Sequence, residues 1–293
     1  MMAMVLTITG VLLALLALFI GLAWGFQERI VFQPTGPPFP DTDNLRRVTY
    51  VAEDGQPLLA FIVGDPVPAK GLLLCFHGNA DLAARLADWA ENVVRTTGFA
   101  VMLAEYRGYM GLGGQPTYES SHLDSEAAFV FARDSLNFSP EQIALYGHSL
   151  GTAIAAELAS RYRPLALILE SPFTSARAMG RIIGWRPVEL AWDVITRFHF
   201  DTVARVASLD APVWVAHGTN DRLIPCEMGR QVFEAAKVKG HLLLVPGALH
   251  SDVAATGAAD YWQWMQSALP HEKQGPTLGP CLDQPRASGA TAD

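Results

Sequence analysis

The sequence predicts an α/β fold in which a mostly parallel eight-stranded sheet carries helices on both faces. Three observations support this prediction. Short apolar runs alternate with amphipathic stretches through residues 45–269. The later runs are continuously apolar, as strands covered on both sides must be. Their order, strand then helix then strand, requires crossovers between parallel neighbours. With 293 residues, half of them apolar, the chain can bury a sizeable core.

The elements follow in chain order. Residues 3–26, AMVLTITGVLLALLALFIGLAWGF, contain neither charge nor proline, and the run exceeds the roughly 20 residues that cross a bilayer. A single-pass membrane anchor is therefore expected. A cleaved signal peptide fits less well, because no basic residue precedes the run and the run is longer than the roughly 7–15 apolar residues of a signal peptide. Trp24 and Phe26 suit the membrane interface. Arg29, Arg46 and Arg47 all follow the helix, a pattern that leans toward a cytoplasmic body without deciding the side.

Residues 27–44, QERIVFQPTGPPFPDTDN, are proline-rich and polar, so an extended linker is expected there. The folded domain then spans 45–269. Its strands are expected at RVTYVAED, LLAFIVG, GLLLCFH, FAVMLAE, IALYGH, LALILE, PVWVAHG and HLLLVPG, the first two pairing as an antiparallel hairpin at one edge. Helices are expected at about 82–97, 120–135, 150–162, 227–238 and 256–268. Residues 174–200 are too long for a simple crossover, and one or two helices capping the carboxyl edge of the sheet are expected. The tail 270–293 has the low hydrophobicity and Pro/Gly content of disorder.

Composition removes some functions. A formal net charge of -8 with scattered Lys and Arg offers no field for nucleic acid. The three cysteines, Cys75, Cys226 and Cys281, form neither a disulfide framework nor a metal-ligand spacing. No metal or cofactor is implied, and the sequence names no protein partner.

The chemistry lies at the strand ends. Gly147-His148-Ser149-Leu150-Gly151 follows the apolar run IALY and precedes the small-residue helix TAIAAELAS. A sharp strand-to-helix turn would lift the Ser149 hydroxyl above the sheet and aim the helix amides at the same place. A serine hydroxyl is scarcely ionised near neutral pH, so it needs a base and a carboxylate to orient that base. Among the eight histidines, His250 in LLLVPGALHSD stands in a loop just past the last strand and comes last in chain order. His77, His217 and His241 border strands and read as structural, as does His148, which strand alternation turns away from Ser149. His122 and His199 lack an acid or nucleophile at matching spacing. For the acid, Asp221 in HGTNDRLIP follows the penultimate strand, with Glu170 and Asp252 as rivals. The oxyanion donors are expected from the backbone amides of Leu150 and Asn79, with Ala80 the neighbouring alternative in HGNADL.

With these residues in place, the chain resembles the α/β-hydrolase superfamily, and within it the membrane-anchored α/β-hydrolase domain-containing serine hydrolases. The likeness is carried by FHGNA at 76–80, EYRGYMG at 105–111, GHSLGTAIA at 147–155, ESPFTSAR at 170–177, HGTNDRLIP at 217–225 and VPGALH at 245–250. The resemblance implies the α/β-hydrolase fold, with Ser149 as nucleophile, Asp221 as acid and His250 as base. It implies a small-molecule or lipid substrate bearing a carboxylic ester or acyl thioester. An acyltransferase on the same residues, or a non-catalytic scaffold on the same fold, are the alternatives.

Overall fold

The computed structural model describes residues 2–67, 69–183, 192 and 195–269. One sheet of eight strands organises the body: β1 Arg46–Val51, β2 Pro57–Val63, β3 Leu72–Phe76, β4 Ala100–Ala104, β5 Ile143–His148, β6 Leu167–Glu170, β7 Val213–Gly218 and β8 Lys239–Val245. They lie in the order β1-β2-β4-β3-β5-β6-β7-β8. β1 and β2 pair antiparallel, as do β2 and β4, and every later pair is parallel. All the runs expected as strands are strands, with the hairpin at the expected edge.

The helices are α1 Met2–Val31, α2 Ala87–Thr97, α3 Tyr118–Asp134, α4 Leu150–Ala159, α5 Ala176–Ile183, α6 Thr202–Ser208, α7 Cys226–Ala235 and α8 Val253–Ala268. Alternation along the strands divides the core between two faces. Leu72, Leu74, Phe76, Ile143 and Leu145 point into one layer, which α3, α4, α6 and α7 cover. Leu73, Cys75, Ala144 and Tyr146 point into the other, covered by α2 and α8. α4 is buried along its whole length. Its small side chains, Ala153, Ala155, Ala156 and Ala159, let it lie close over the centre of the sheet. The short α6 had no counterpart in the sequence reading, since TVARVAS is under two turns and lacks a clear 3.6 period. What starts it is the Asp201 side chain, which accepts from the Ala204 N–H at 2.9 Å.

The N-terminal helix departs from expectation at its end. It continues beyond residue 26 to Val31, so the start of the expected extended linker is helical. No helix breaker occurs before Pro34, and the polar last turn has a surface to bind: Gln27 and Phe32 are buried against the domain. Most of α1 before that turn is exposed and apolar, with a mean hydropathy of 2.7, long and apolar enough to cross a membrane. Within 174–200, where capping helices are expected, Ala176–Ile183 is helical, while residues 184–191 and 193–194 lie outside the described residues, as does the tail from 270.

One histidine on the α3 face gives the fold an acid-sensitive point. His122 packs its ring 4.5 Å from Tyr118, and its Nδ1 accepts from Arg161 Nη2 at 2.6 Å, which requires a neutral ring. Burial, together with the Arg161 and Arg205 guanidinium groups, lowers its pKa from 6.5 to about 4. The native state therefore binds fewer protons than the unfolded chain between these values, and stability must fall as pH falls through that window. His122→Gln is expected to flatten this dependence, read as urea midpoints at about pH 7 and about pH 5. An unchanged pH response in the variant would show that the loss arises elsewhere.

Candidate active site

β5 ends in the turn Gly147–Gly151, and Ser149 there takes φ 53° and ψ -117°, a region an L-residue enters only under strain. The surroundings hold it in place. The Ser149 N–H donates to Glu170 O at 3.0 Å, and the Ser149 carbonyl accepts from Thr152 N at 3.0 Å and Thr152 Oγ1 at 2.5 Å. Gly147 and Gly151 meet across this turn. A Cβ on Gly147 would run into the Gly151 carbonyl, and one on Gly151 into the Phe76 carbonyl. The flanking glycines thus serve the close approach of backbone to backbone.

Ser149 Oγ lies 2.9 Å from His250 Nε2, and His250 Nδ1 lies 2.7 Å from Asp221 Oδ2. The structure brings together these three sequence-predicted side chains from loops after three different strands. The loops of Asp221 and His250 are stitched to each other through backbone bonds, Asn220 N to Ala248 O at 2.9 Å and Thr219 N to Val245 O at 3.0 Å. Asp221 is fully buried at its side chain and accepts three hydrogen bonds among the described residues. They come from Leu223 N at 2.8 Å, Ile224 N at 2.9 Å and His250 Nδ1 at 2.7 Å, and the His217 ring, whose Nε2 donates to Ile224 O at 2.9 Å, lies 3.2 Å from the carboxylate. Burial alone would raise its pKa, but the adjacent His217 and His250 rings and the Ile224 N–H outweigh it and hold the carboxyl far below the usual range. It stays ionised wherever the protein is folded near neutral pH, ready to accept a hydrogen bond from the Nδ1–H of His250.

The rivals for the acid are otherwise engaged. Glu170 Oε2 accepts from the Tyr146 and Tyr261 hydroxyls at 3.0 and 2.6 Å, and Asp252 Oδ1 accepts from Leu249 N at 2.6 Å.

The loop after β3 lies against the nucleophile turn: a Cβ on Gly78 would sit 3.3 Å from Ser149 Cβ. Among the described residues, the backbone amides of Asn79 and Leu150 have no acceptor within the protein, whereas Ala80 N already donates to Asn79 Oδ1 at 3.0 Å. That difference favours Asn79 over Ala80 as an oxyanion donor. Behind the loop, His77 and Glu105 form a fully buried pair at 2.7 Å, and the second Glu105 oxygen accepts from Ala83 N at 3.1 Å. Burial pushes the His77 imidazole down, but the adjacent Glu105 carboxylate more than offsets it, and the net shift is upward.

Two contacts to His250 were not legible beforehand. His148, expected to be turned away, packs its ring 5.2 Å from that of His250, and its Nε2 donates to the His250 carbonyl at 3.1 Å. Burial keeps its pKa below the ordinary histidine value, and the neutral ring with hydrogen on Nε2 is the form this bond needs. Ser171 Oγ donates to the same carbonyl at 3.1 Å, from a residue at φ 52°. Strand alternation does describe where the His148 Cβ leaves the sheet. It gives no information on a loop that folds back from residue 250.

Comparison with known proteins agrees with this architecture. Residues 67–199 match the family described as serine aminopeptidase, S33, a segment that includes Ser149 and ends before Asp221 and His250. An uncharacterized protein of Mycobacterium tuberculosis is 32% identical over 237 residues, covering 78% of this chain and 82% of its own. The human alpha/beta hydrolase domain-containing protein 17B is 30% identical over 189 residues; the match takes in 64% of this chain and 63% of that protein, under two thirds of its length. Among solved structures, an esterase from Pyrococcus furiosus superposes with a TM-score of 0.62 at 16% identity, over 82% of this chain and 98% of its own. A bacterial heroin esterase gives 0.60 at 22% identity, over 80% and 87% of the two chains. At these identities the two esterases share the fold with this chain, and the likeness goes no further.

Proposed function

The chain belongs to the α/β-hydrolase superfamily, and from that premise we propose that it is a serine hydrolase cleaving carboxylic-ester or acyl-thioester bonds through an acyl-enzyme. The observation that carries this reading is the continuous line from Asp221 Oδ2 through the His250 ring to Ser149 Oγ, with separations of 2.7 and 2.9 Å.

In that reading Ser149 Oγ attacks the carbonyl carbon while its proton passes to His250 Nε2. Asp221 keeps the Nδ1–H in place and stabilises the imidazolium. The carbonyl oxygen, now negative, takes hydrogen bonds from the amides of Asn79 and Leu150, aided by the positive end of α4. Collapse expels the alkoxide or thiolate, which takes the proton from His250. Water then repeats the sequence on the acyl-enzyme, His250 again taking and returning one proton, and the acid is released.

The apolar helix α1 acts as a single-pass membrane tether in this proposal, placing the site beside lipid or lipid-modified esters. Fluorophosphonate labelling tests the core of the reading. A covalent adduct mapped to the peptide carrying Ser149 is expected, with ester turnover lost in proportion. Full turnover in the labelled protein, or an adduct on another serine, would overturn it. Product analysis with a competing alcohol separates hydrolysis from acyl transfer.

A further inference from the structure

The carboxamide of Asn79 is where the loop beside the nucleophile meets the end of α1. Its Nδ2 donates to Val31 O at 2.7 Å. Its Oδ1 accepts from Gln33 N at 2.8 Å, from the Tyr109 hydroxyl at 2.9 Å and from Ala80 N at 3.0 Å. A side chain with this many partners cannot shift without breaking several bonds together.

The end of α1 is also seated independently of Asn79. Gln27 is 0% exposed, and its Oε1 accepts from Arg197 N at 2.8 Å. Arg197 in turn reaches Glu28 Oε2 at 2.6 Å and lays its guanidinium 4.6 Å from the Trp24 ring centroid. Phe32 packs against Phe198 at 5.9 Å between ring centroids. A tether that only kept the body near a surface would need none of this, since a flexible linker does that work.

We propose that the Asn79 side chain is a positioning group through which the seated end of α1 holds the oxyanion side of the site, so that the docking of the helix and the catalytic rate are coupled. The inference rests on the reading of Ser149 as nucleophile. The physical step is short. The carboxamide and the backbone N–H read here as an oxyanion donor belong to one residue, so whatever fixes the first fixes the second. On the inner side the loop is pinned through His77 to Glu105 and through its carbonyl to the Tyr106 hydroxyl at 2.9 Å. On the outer side the pinning partners of Asn79 are Val31, which ends α1, Gln33 just past it, and Tyr109. A displacement of about 1 Å at a transition-state contact costs up to about a hundredfold in rate.

The test is a double-mutant cycle in the full-length protein in detergent, combining Asn79→Ala with Gln27→Ala and measuring kcat, KM, the rate of fluorophosphonate inactivation and the thermal midpoint. Each single variant is expected to lower kcat and the inactivation rate about ten- to hundredfold, with KM changed less than about twofold. The double variant should be no slower than the slower single. Effects that multiply, or an Asn79→Ala enzyme with unchanged kcat, would overturn the inference. Should Gln27→Ala not fold, Tyr109→Phe replaces it. It removes one donor to Oδ1, and should slow the wild-type background but not the Asn79→Ala background; equal slowing in both refutes the coupling. Ser149→Ala separates the layers. If it still turns over, the nucleophile reading fails; if it is dead while the cycle multiplies, only the coupling fails.

Discussion

Ser149→Ala should lower the kcat for a p-nitrophenyl ester by about 10⁴-fold or more, equivalent to about 5.5 kcal/mol of transition-state stabilisation. In the proposed mechanism Ser149 alone forms the acyl-enzyme, so the remaining rate would come from binding and the two amides. The fold should survive, because the Ser149 hydroxyl has one partner, His250 Nε2, while the turn is held by backbone bonds that alanine keeps. The thermal midpoint is therefore expected near that of wild type. Asp221→Asn should be comparably slow: the amide would keep the shape but no longer be an anion accepting from His250 Nδ1. The proposal has the three side chains act as one unit, so Ser149→Ala with Asp221→Asn should be no slower than Ser149→Ala alone. Turnover near the wild-type rate in purified Ser149→Ala would end the proposal.

Gly151→Ala is the substitution with the largest expected cost in stability. Its Cβ would enter the carbonyl oxygens of Phe76 and His77. Neither can give way easily, because Phe76 is bonded into the centre of the sheet between β4 and β5. Moving α4 outward would strip the contacts of a helix buried from end to end. A loss of about 3–5 kcal/mol is expected, enough to leave much of the protein unfolded or insoluble. Gly247→Ala is the control: it meets nothing within 4 Å, and its φ of 78° costs only local strain. Equal urea midpoints for Gly151→Ala and wild type would contradict the packing described around the nucleophile turn.

The sheet was legible because its inner strands, β2 to β7, are apolar on both sides, and strands from RVTYV to HLLLV end in turn residues, so period and punctuation agree. The nucleophile turn was legible because the close backbone approach at Gly147 and Gly151 leaves a glycine at each flank of Ser149. His250 and Asp221 could be singled out by their place after β8 and β7, since in such a sheet the strand ends converge on one edge. What could not be read were contacts that depend on how loops fold back. Neither spacing nor composition says that His148 and Ser171 share the His250 carbonyl, or that the His217 ring lies against the Asp221 carboxylate from four residues upstream. The seat of α1 was missed for a related reason. Gln27 and Glu28 read as solvated linker until Arg197, far along the chain, supplies their partner.

Glu170 carries a consequence for how the molecule opens. Trp89 Nε1 donates to the Tyr261 hydroxyl at 3.0 Å, and Tyr261 and Tyr146 both donate to the same carboxylate oxygen. One acidic group thus knots α2, α8, β5 and β6 together below the strand ends. None of these pieces can fray singly without leaving an anion or a phenol stranded in the interior, so their amides should exchange with solvent at a common rate, as one cooperative block.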